Sequence, residues 1–334
     1  MRKSYYLFNP GRLSRVDNTL KFIPVDEHGQ EGQPRYIPVE TASDLFVFGA
    51  LDANSALYNF LGKNQTAVHF FDYYEHYTGS FMPKEYLLAG QLQVKQTASY
   101  ADKKKRLAIA RLILDGASFN MLKVLRYYHN RDKDLSEQIG LIETYRKNFD
   151  QTSSVSELMG LEGNTRQVYY SAFDIIINDF NMSGRSKRPP QNEVNALISL
   201  GNMMCYTACL GQIYHTQLNP TISYLHEPGA RRFSLALDLA EIFKPLLVDR
   251  LVFSMLNKRE IQATDFRQDL NRYCLKDSGK KTFVRAWDTR LGETIQHRSL
   301  KRSVSYKHLI RLECYKLVKH LLGDGDYKPF KIYW

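Results

Sequence analysis

Ser156-Glu157-Leu158-Met159-Gly160-Leu161-Glu162-Gly163-Asn164-Thr165-Arg166-Gln167-Val168-Tyr169-Tyr170 sets its apolar side chains at helical, not alternating, spacing, and most of the chain follows suit. Leu158, Leu161, Val168 and Ala172 recur along one stripe, and Ser156 is expected to be the N-cap. Glu162 stands beside that stripe. Arg166, four residues on, and Tyr169, seven on, project from the same side. Read alone, Glu162 and Arg166 are a surface ion pair of a common kind.

Helical spacing also governs residues 103–114, 134–148, 156–179, 193–218 and 234–257, with few glycines or prolines between them. Ahead of Met82-Pro83 the texture is different. Residues 4–8, 19–24, 45–48 and 66–71 are short apolar or aromatic runs, separated by turn formers such as Asn9-Pro10-Gly11 and Asp17-Asn18. One helix, 56–61, interrupts them, capped by Asp52 or Asn54 and stopped by Gly62. The expectation is an α+β protein, with a small β-rich domain over residues 1–88 and a larger all-helical domain over 89–334.

Composition is that of a folded chain: 43% hydrophobic and 24% charged residues exclude collagen-like and disordered classes. With 46 basic against 35 acidic side chains the formal charge is +11, which favours a polyanionic partner, nucleic acid first. Basic residues cluster at Lys103-Lys104-Lys105-Arg106, at Arg185-Ser186-Lys187-Arg188, and from Lys276 to Lys307, which includes Lys280, Lys281, Arg285, Arg290, Arg298, Lys301 and Arg302. Each alone is a solvated face. Together, with Tyr273, Phe283 and Trp287 interleaved in the last, they read as a DNA-tracking surface. Residues 1–10 lack the apolar core of a signal peptide and no uncharged run reaches membrane-spanning length, so a soluble, cytoplasmic protein is expected. The four cysteines show no paired C-x-x-C spacing, which argues for buried free thiols over zinc or a disulfide framework.

His226 precedes the Pro228-Gly229 turn, outside regular helix, where its imidazole can face a cleft; in isolation a structural histidine is the commoner case. Ser234 to Pro245 reads as a helix capped by Ser234, with Leu235, Leu239, Ile242 and Leu246 as its buried stripe. Asp238 and Glu241 then share a neighbouring face. Two carboxylates so placed repel, which an outside cation would relieve; a solvated acidic face is the alternative, for Asp238 in particular. One imidazole with two or three carboxylates and no thiolate suits Mg2+ or Mn2+, and such an ion works on phosphate esters. Arg166, Arg231, Arg232 and Lys244 are close enough in sequence to neutralise developing charge.

In this order the segments resemble the CRISPR-associated adaptation integrases. Gly160-Leu161-Glu162-Gly163 with Tyr169, Tyr170 and Phe173 matches one family pattern, and Asn195-Ala196-Leu197-Ile198-Ser199-Leu200-Gly201 a second. A third runs through Asn219-Pro220, Leu225-His226, Ser234 to Glu241, Phe243-Lys244-Pro245 and Asp249-Arg250. Asn164-Thr165 beside the first pattern, and Asn219 and Ile242 within the third, depart from the family at positions that hold no proposed ligand. The resemblance implies a metal held by Glu162, His226 and Glu241 with Asp238 as a close acidic neighbour, all four serving catalysis. It implies a homodimer formed through residues 1–88, a small ferredoxin-like partner, and double-stranded DNA as substrate. The 3′-hydroxyl ends of a short prespacer duplex would be joined to phosphodiesters at the CRISPR repeat. DNA contacts are expected from Arg166, Arg231, Arg232, Lys244, Lys280, Lys281, Lys301 and Arg302. A stand-alone metal-dependent endonuclease on branched or single-stranded DNA is the nearest alternative, and a catalytically silent DNA-binding scaffold the next.

Overall fold

The chain opens with three strands, β1 (Lys3–Leu7), β2 (Gly11–Val16) and β3 (Thr19–Pro24). β2 and β3 form an antiparallel hairpin around Asp17-Asn18, where Asp17 takes a φ of 53°, a left-handed conformation that aspartate tolerates. β4 (Arg35–Pro38), β5 (Ala42–Val47) and β6 (Leu51–Asp52) follow, then α1 (Ser55–Lys63), β7 (Ala67–Phe71) and β8 (Tyr77–Phe81). Two four-stranded sheets result, in the orders β1-β5-β7-β8 and β4-β3-β2-β6. Leu13, Leu20 and Phe22 from one sheet, Leu45, Val47 and Val68 from the other, and Leu57 and Leu61 from α1 close a common core. Asn54 caps α1 by accepting from the Leu57 N–H, while Gly62 lies inside the helix and Asn64 ends it. The structure is a computed structural model and describes every residue except 1, 27, 85–88, 230–231, 270–271 and 334.

The chain divides into two compact units, Met1–Leu88 and Ala89–Trp334. The second begins with α2 (Gly90–Ala101), α3 (Lys103–His129), α4 (Ser136–Lys147), α5 (Val155–Ser171), α6 (Phe173–Ile176) and α7 (Glu193–Tyr214). It continues through α8 (Ser234–Lys244), α9 (Arg250–Asn257), β9 (Phe266–Asp269), β10 (Arg272–Leu275), α10 (Asp277–Gly292), β11 (Thr294–His297), β12 (Arg302–Ser305) and α11 (Tyr306–Leu322). The α+β class therefore holds. The second unit is not all helical, because β9–β10 and β11–β12 are antiparallel hairpins. Polar sequences such as Arg267-Gln268-Asp269 gave them no apolar alternation to read.

α7 is not amphipathic but buried on nearly every side, from Val194 to Ile213. By length and apolarity it could cross a membrane, yet 83% of its apolar stretch is buried inside the protein, the condition of a core helix. Gly201 lets it approach closely, since a Cβ there would lie 2.5 Å from Val248 Cγ1. Val248 belongs to a π-helical turn, Pro245–Asp249, between α8 and α9. Pro245 has no N–H to return to the carbonyl of Glu241, and the wider turn absorbs that interruption. Arg290 of α10 donates from Nε (3.1 Å) and Nη2 (2.9 Å) to the Leu246 carbonyl within that turn.

A segment around residues 327–332 lies against the helices. Asn120 of α3 donates to the Phe330 carbonyl (3.1 Å) and to the Ile242 carbonyl of α8 (2.9 Å), and accepts from the Ile332 N–H (2.9 Å). Buried Glu313 of α11 accepts from the Tyr327 hydroxyl (2.6 Å) and the Phe330 N–H (3.0 Å). Phe330 stacks on Phe243.

Candidate active site

α5 begins two residues earlier than its apolar pattern indicates, because Ser154, not Ser156, accepts from the Glu157 N–H. Leu158, Thr165, Tyr169 and Ala172 bury its inner face, while Leu161 and Val168 are only half-buried. Glu162 and Arg166 flank that face as a pair, Nε to Oε1 at 2.7 Å, but they are no surface pair: each side chain is 13% exposed. The other end of the Arg166 guanidinium reaches Glu241 on α8, and Lys244 Nζ lies 2.7 Å from Glu241 Oε1. Two helices thus lay down the alternation Glu162, Arg166, Glu241, Lys244 in a poorly solvated place. Burial works to raise the Glu162 carboxyl, but the charge and hydrogen bond of Arg166, helped by His226 and Lys244, outweigh it and hold the group below the usual carboxylate range. Burial, then Arg166, pulls the Lys244 ammonium down.

α8 starts without a side-chain cap; Phe233 precedes it, and the Ser234 hydroxyl donates instead to the Thr221 carbonyl of the preceding loop. Asp238 is fully buried, which removes the solvated alternative. Its Oδ2 accepts from the Tyr224 and Leu225 N–H groups (2.7 and 3.0 Å), and its Oδ1 from the His226 N–H and imidazole Nδ1 (both 2.9 Å). The repulsion expected between Asp238 and Glu241 is therefore answered inside the protein: Asp238 folds the His226 loop, and Glu241 faces Arg166 and Lys244. With Nδ1–H committed to Asp238, the imidazole keeps its acceptor lone pair on Nε2.

Carboxylate oxygens of Glu162 and Glu241 and a neutral imidazole nitrogen are the donor types that Mg2+ or Mn2+ takes. Among the described residues no three His, Cys, Asp or Glu side chains are gathered closely enough to hold an ion by themselves. Arg166 and Lys244 stand on the carboxylates in place of one. The donor chemistry fits a divalent cation provided those two side chains yield part of their hold.

Beneath this layer, Asp249 is fully enclosed. Burial pushes its carboxyl up to about 7, against the opposing pull of Arg166, the Tyr169 hydroxyl, Lys244 and Arg185. Sequence reasoning missed Asp249 as a site neighbour, although a lone acid in Leu246-Leu247-Val248-Asp249 was signal enough that something pairs with it.

The expected DNA contacts separate by environment. Arg166 and Lys244 belong to the carboxylate cluster. Arg232 is exposed and donates to the Glu227 carbonyl (2.8 Å), and Arg231 lies outside the described residues. Lys280 is partly buried near Asp277 (3.9 Å), Lys281 is partly buried, and Lys301 and Arg302 are exposed on the β11–β12 hairpin. Phe283 and Trp287 are core residues and offer no stacking surface. Arg185 is turned inward onto Asn195 Oδ1 (2.8 Å) and Ser199 Oγ (3.0 Å), and Arg106 onto the Tyr224 carbonyl (3.0 Å). The four cysteines are free and buried.

A model of the family described as CRISPR associated protein Cas1 matches residues 5–289. A CRISPR-associated endonuclease Cas1 from Fusobacterium nucleatum is 46% identical over 335 residues, covering 100% of this chain and 98% of its own. The solved structure of a Cas1 protein from Thermotoga maritima superposes with a TM-score of 0.85 at 41% identity, over 97% of this chain and 98% of that one. A casposase bound to integration product shares the fold, with a TM-score of 0.87 at 19% identity over 99% and 94% of the two chains.

Proposed function

This chain belongs to the CRISPR-associated Cas1 family, and from that premise we propose that it is a divalent-metal-dependent DNA strand transferase and endonuclease acting in CRISPR adaptation. The observation that carries the proposal is the buried alternation of Glu162, Arg166, Glu241 and Lys244 beside an imidazole whose tautomer Asp238 fixes. Glu162, Glu241 and His226 Nε2 would hold Mg2+ or Mn2+, which when bound polarises a phosphoryl oxygen and favours a deprotonated nucleophile.

The protein's own groups do the rest. Asp238 keeps His226 from turning and, in the neutral ring, places the proton on Nδ1 so that Nε2 carries the lone pair. Arg166 and Lys244, both held in low dielectric, supply positive charge where negative charge grows on the attacked phosphate. The nucleophile is a DNA 3′-hydroxyl: one P–O bond forms as another breaks, so the joining needs no ATP. Water in place of the hydroxyl gives cleavage. The proposed assembly is a homodimer through residues 1–88 with a small ferredoxin-like partner, on a short prespacer duplex and a repeat-bearing target.

The test is strand transfer into a repeat-bearing plasmid, with the small partner present, beside cleavage by the chain alone. Glu162→Gln, His226→Ala and Glu241→Gln are each expected to fall to background in both assays while still binding DNA. Mn2+ should serve at least as well as Mg2+, and Ca2+ should fail. Near wild-type turnover by any of the three would remove that residue from the ligand set. Cleavage without joining by the wild type would leave the endonuclease reading in place.

A further inference from the structure

We propose that Arg106 is a positioning residue for His226, holding the loop that carries the imidazole, and is not one of the chain's DNA contacts. The inference rests on the reading of His226 as a metal ligand. His226 lies in the long connection between α7 and α8, where no regular element fixes it. Asp238 grips that loop from inside. Arg106 grips it from outside, donating from Nε to the Tyr224 carbonyl (3.0 Å) and from Nη2 to Glu227 Oε2 (2.6 Å). The Tyr100 hydroxyl donates to the second oxygen, Glu227 Oε1 (2.6 Å), and the Tyr100 ring stacks under the Arg106 guanidinium at 4.5 Å. α2 and α3 therefore pin the residue after His226 and the residue two before it.

The three lysines ahead of Arg106 are exposed on the first turn of α3, whereas the Arg106 side chain is only 16% exposed. The site demands arginine. Two donors pointing at two separate acceptors, with a flat face left for the tyrosine ring, is a geometry that an ammonium group cannot reproduce.

The experiment is an EPR titration with Mn2+ alone on the full chain, comparing wild type, Arg106→Lys, His226→Ala and the double variant. Arg106→Lys is expected to weaken Mn2+ binding by about tenfold, as the loss of a group that orients a ligand does. Metal-free DNA affinity and the melting temperature should stay at wild-type values. Added to His226→Ala, the same change should cost nothing further, because it acts through the imidazole. Joint charge reversal of Lys103, Lys104 and Lys105 should give the opposite pattern, weaker DNA binding with Mn2+ binding intact. Wild-type Mn2+ affinity in Arg106→Lys, full additivity with His226→Ala, or a DNA defect like that of the lysine variant would each overturn the proposal. Should Arg106→Lys fail to fold, Glu227→Ala carries the same test from the exposed end of the contact, with the same expected weakening and the same absorption by His226→Ala. If His226→Ala itself binds Mn2+ normally, the ligand reading falls and takes this one with it; if only Arg106→Lys and Glu227→Ala are normal, this one falls alone.

Discussion

Asp249 costs the fold stability in a way that pH reveals. A carboxyl pushed up to about 7 binds a proton in the native state that the unfolded chain, with its ordinary carboxylate, has already released. Its contribution is therefore neutral in acid, turns unfavourable as pH rises through the interval from about 4 to 7, and stays so above, on the order of 4 kcal/mol at most. Asp249→Asn keeps an acceptor for the Tyr169 hydroxyl and cannot ionise. Urea unfolding at pH 5 and pH 8 should show the variant gaining on wild type at the higher pH, and a difference that does not move with pH would refute the account. Asp238 makes the contrary case, since four donors converge on its carboxylate. Asp238→Asn turns an N–H2 group toward those donors, so DNA cleavage should fall as far as in His226→Ala. A loss of only a few-fold would mean that the loop holds its place without the carboxylate. Glu162, His226 and Glu241 were legible because each lies in a short patterned segment. Arg106 and Glu227 were not, because 121 residues separate the partners and neither segment hints at the other.

At the scale of elements, helical periodicity located α3, α4, α5, α7 and α8 but misjudged their ends. Hydroxyl residues are common before helices, and only the backbone trace shows that Ser154 caps and Ser234 does not. The π turn was unreadable: Lys244-Pro245 followed by an apolar run looks like an uninterrupted helix. That turn presses Val248 against the bare Cα of Gly201, so Gly201→Ala should destabilise the protein by about 1–3 kcal/mol. Val248→Ala vacates the contested volume, and the double variant should recover part of the loss. Denaturant midpoints for the four proteins of this cycle decide it, and simple additivity would exclude the contact as the cause.

Across the whole molecule, the +11 charge was visible at once, but its distribution was not. Arg106, Arg185 and Arg290 are spent on internal carbonyls, amides and carboxylates, which leaves the lysine triplet of α3 and the β11–β12 hairpin among the solvated cations. Joint charge reversal of Lys280, Lys281, Lys301 and Arg302 should weaken binding to unrelated duplexes about equally, because backbone contacts carry no sequence information. The slope of log affinity against log salt should flatten by about 0.9 for each DNA phosphate that the variant no longer neutralises. An unchanged slope would place this stretch off the DNA path. The inserted segment at 327–332 has a consequence of another order, in the timing of synthesis. A nascent chain that has emerged only to residue 320 already carries Glu162, His226 and Glu241, yet it lacks the ring that stacks on Phe243 and the peptide groups that Asn120 and Glu313 serve. The packing around α8 is therefore completed only by a segment made after every proposed ligand, once Phe330 has reached Phe243 and Asn120 and Glu313 have met their backbone partners.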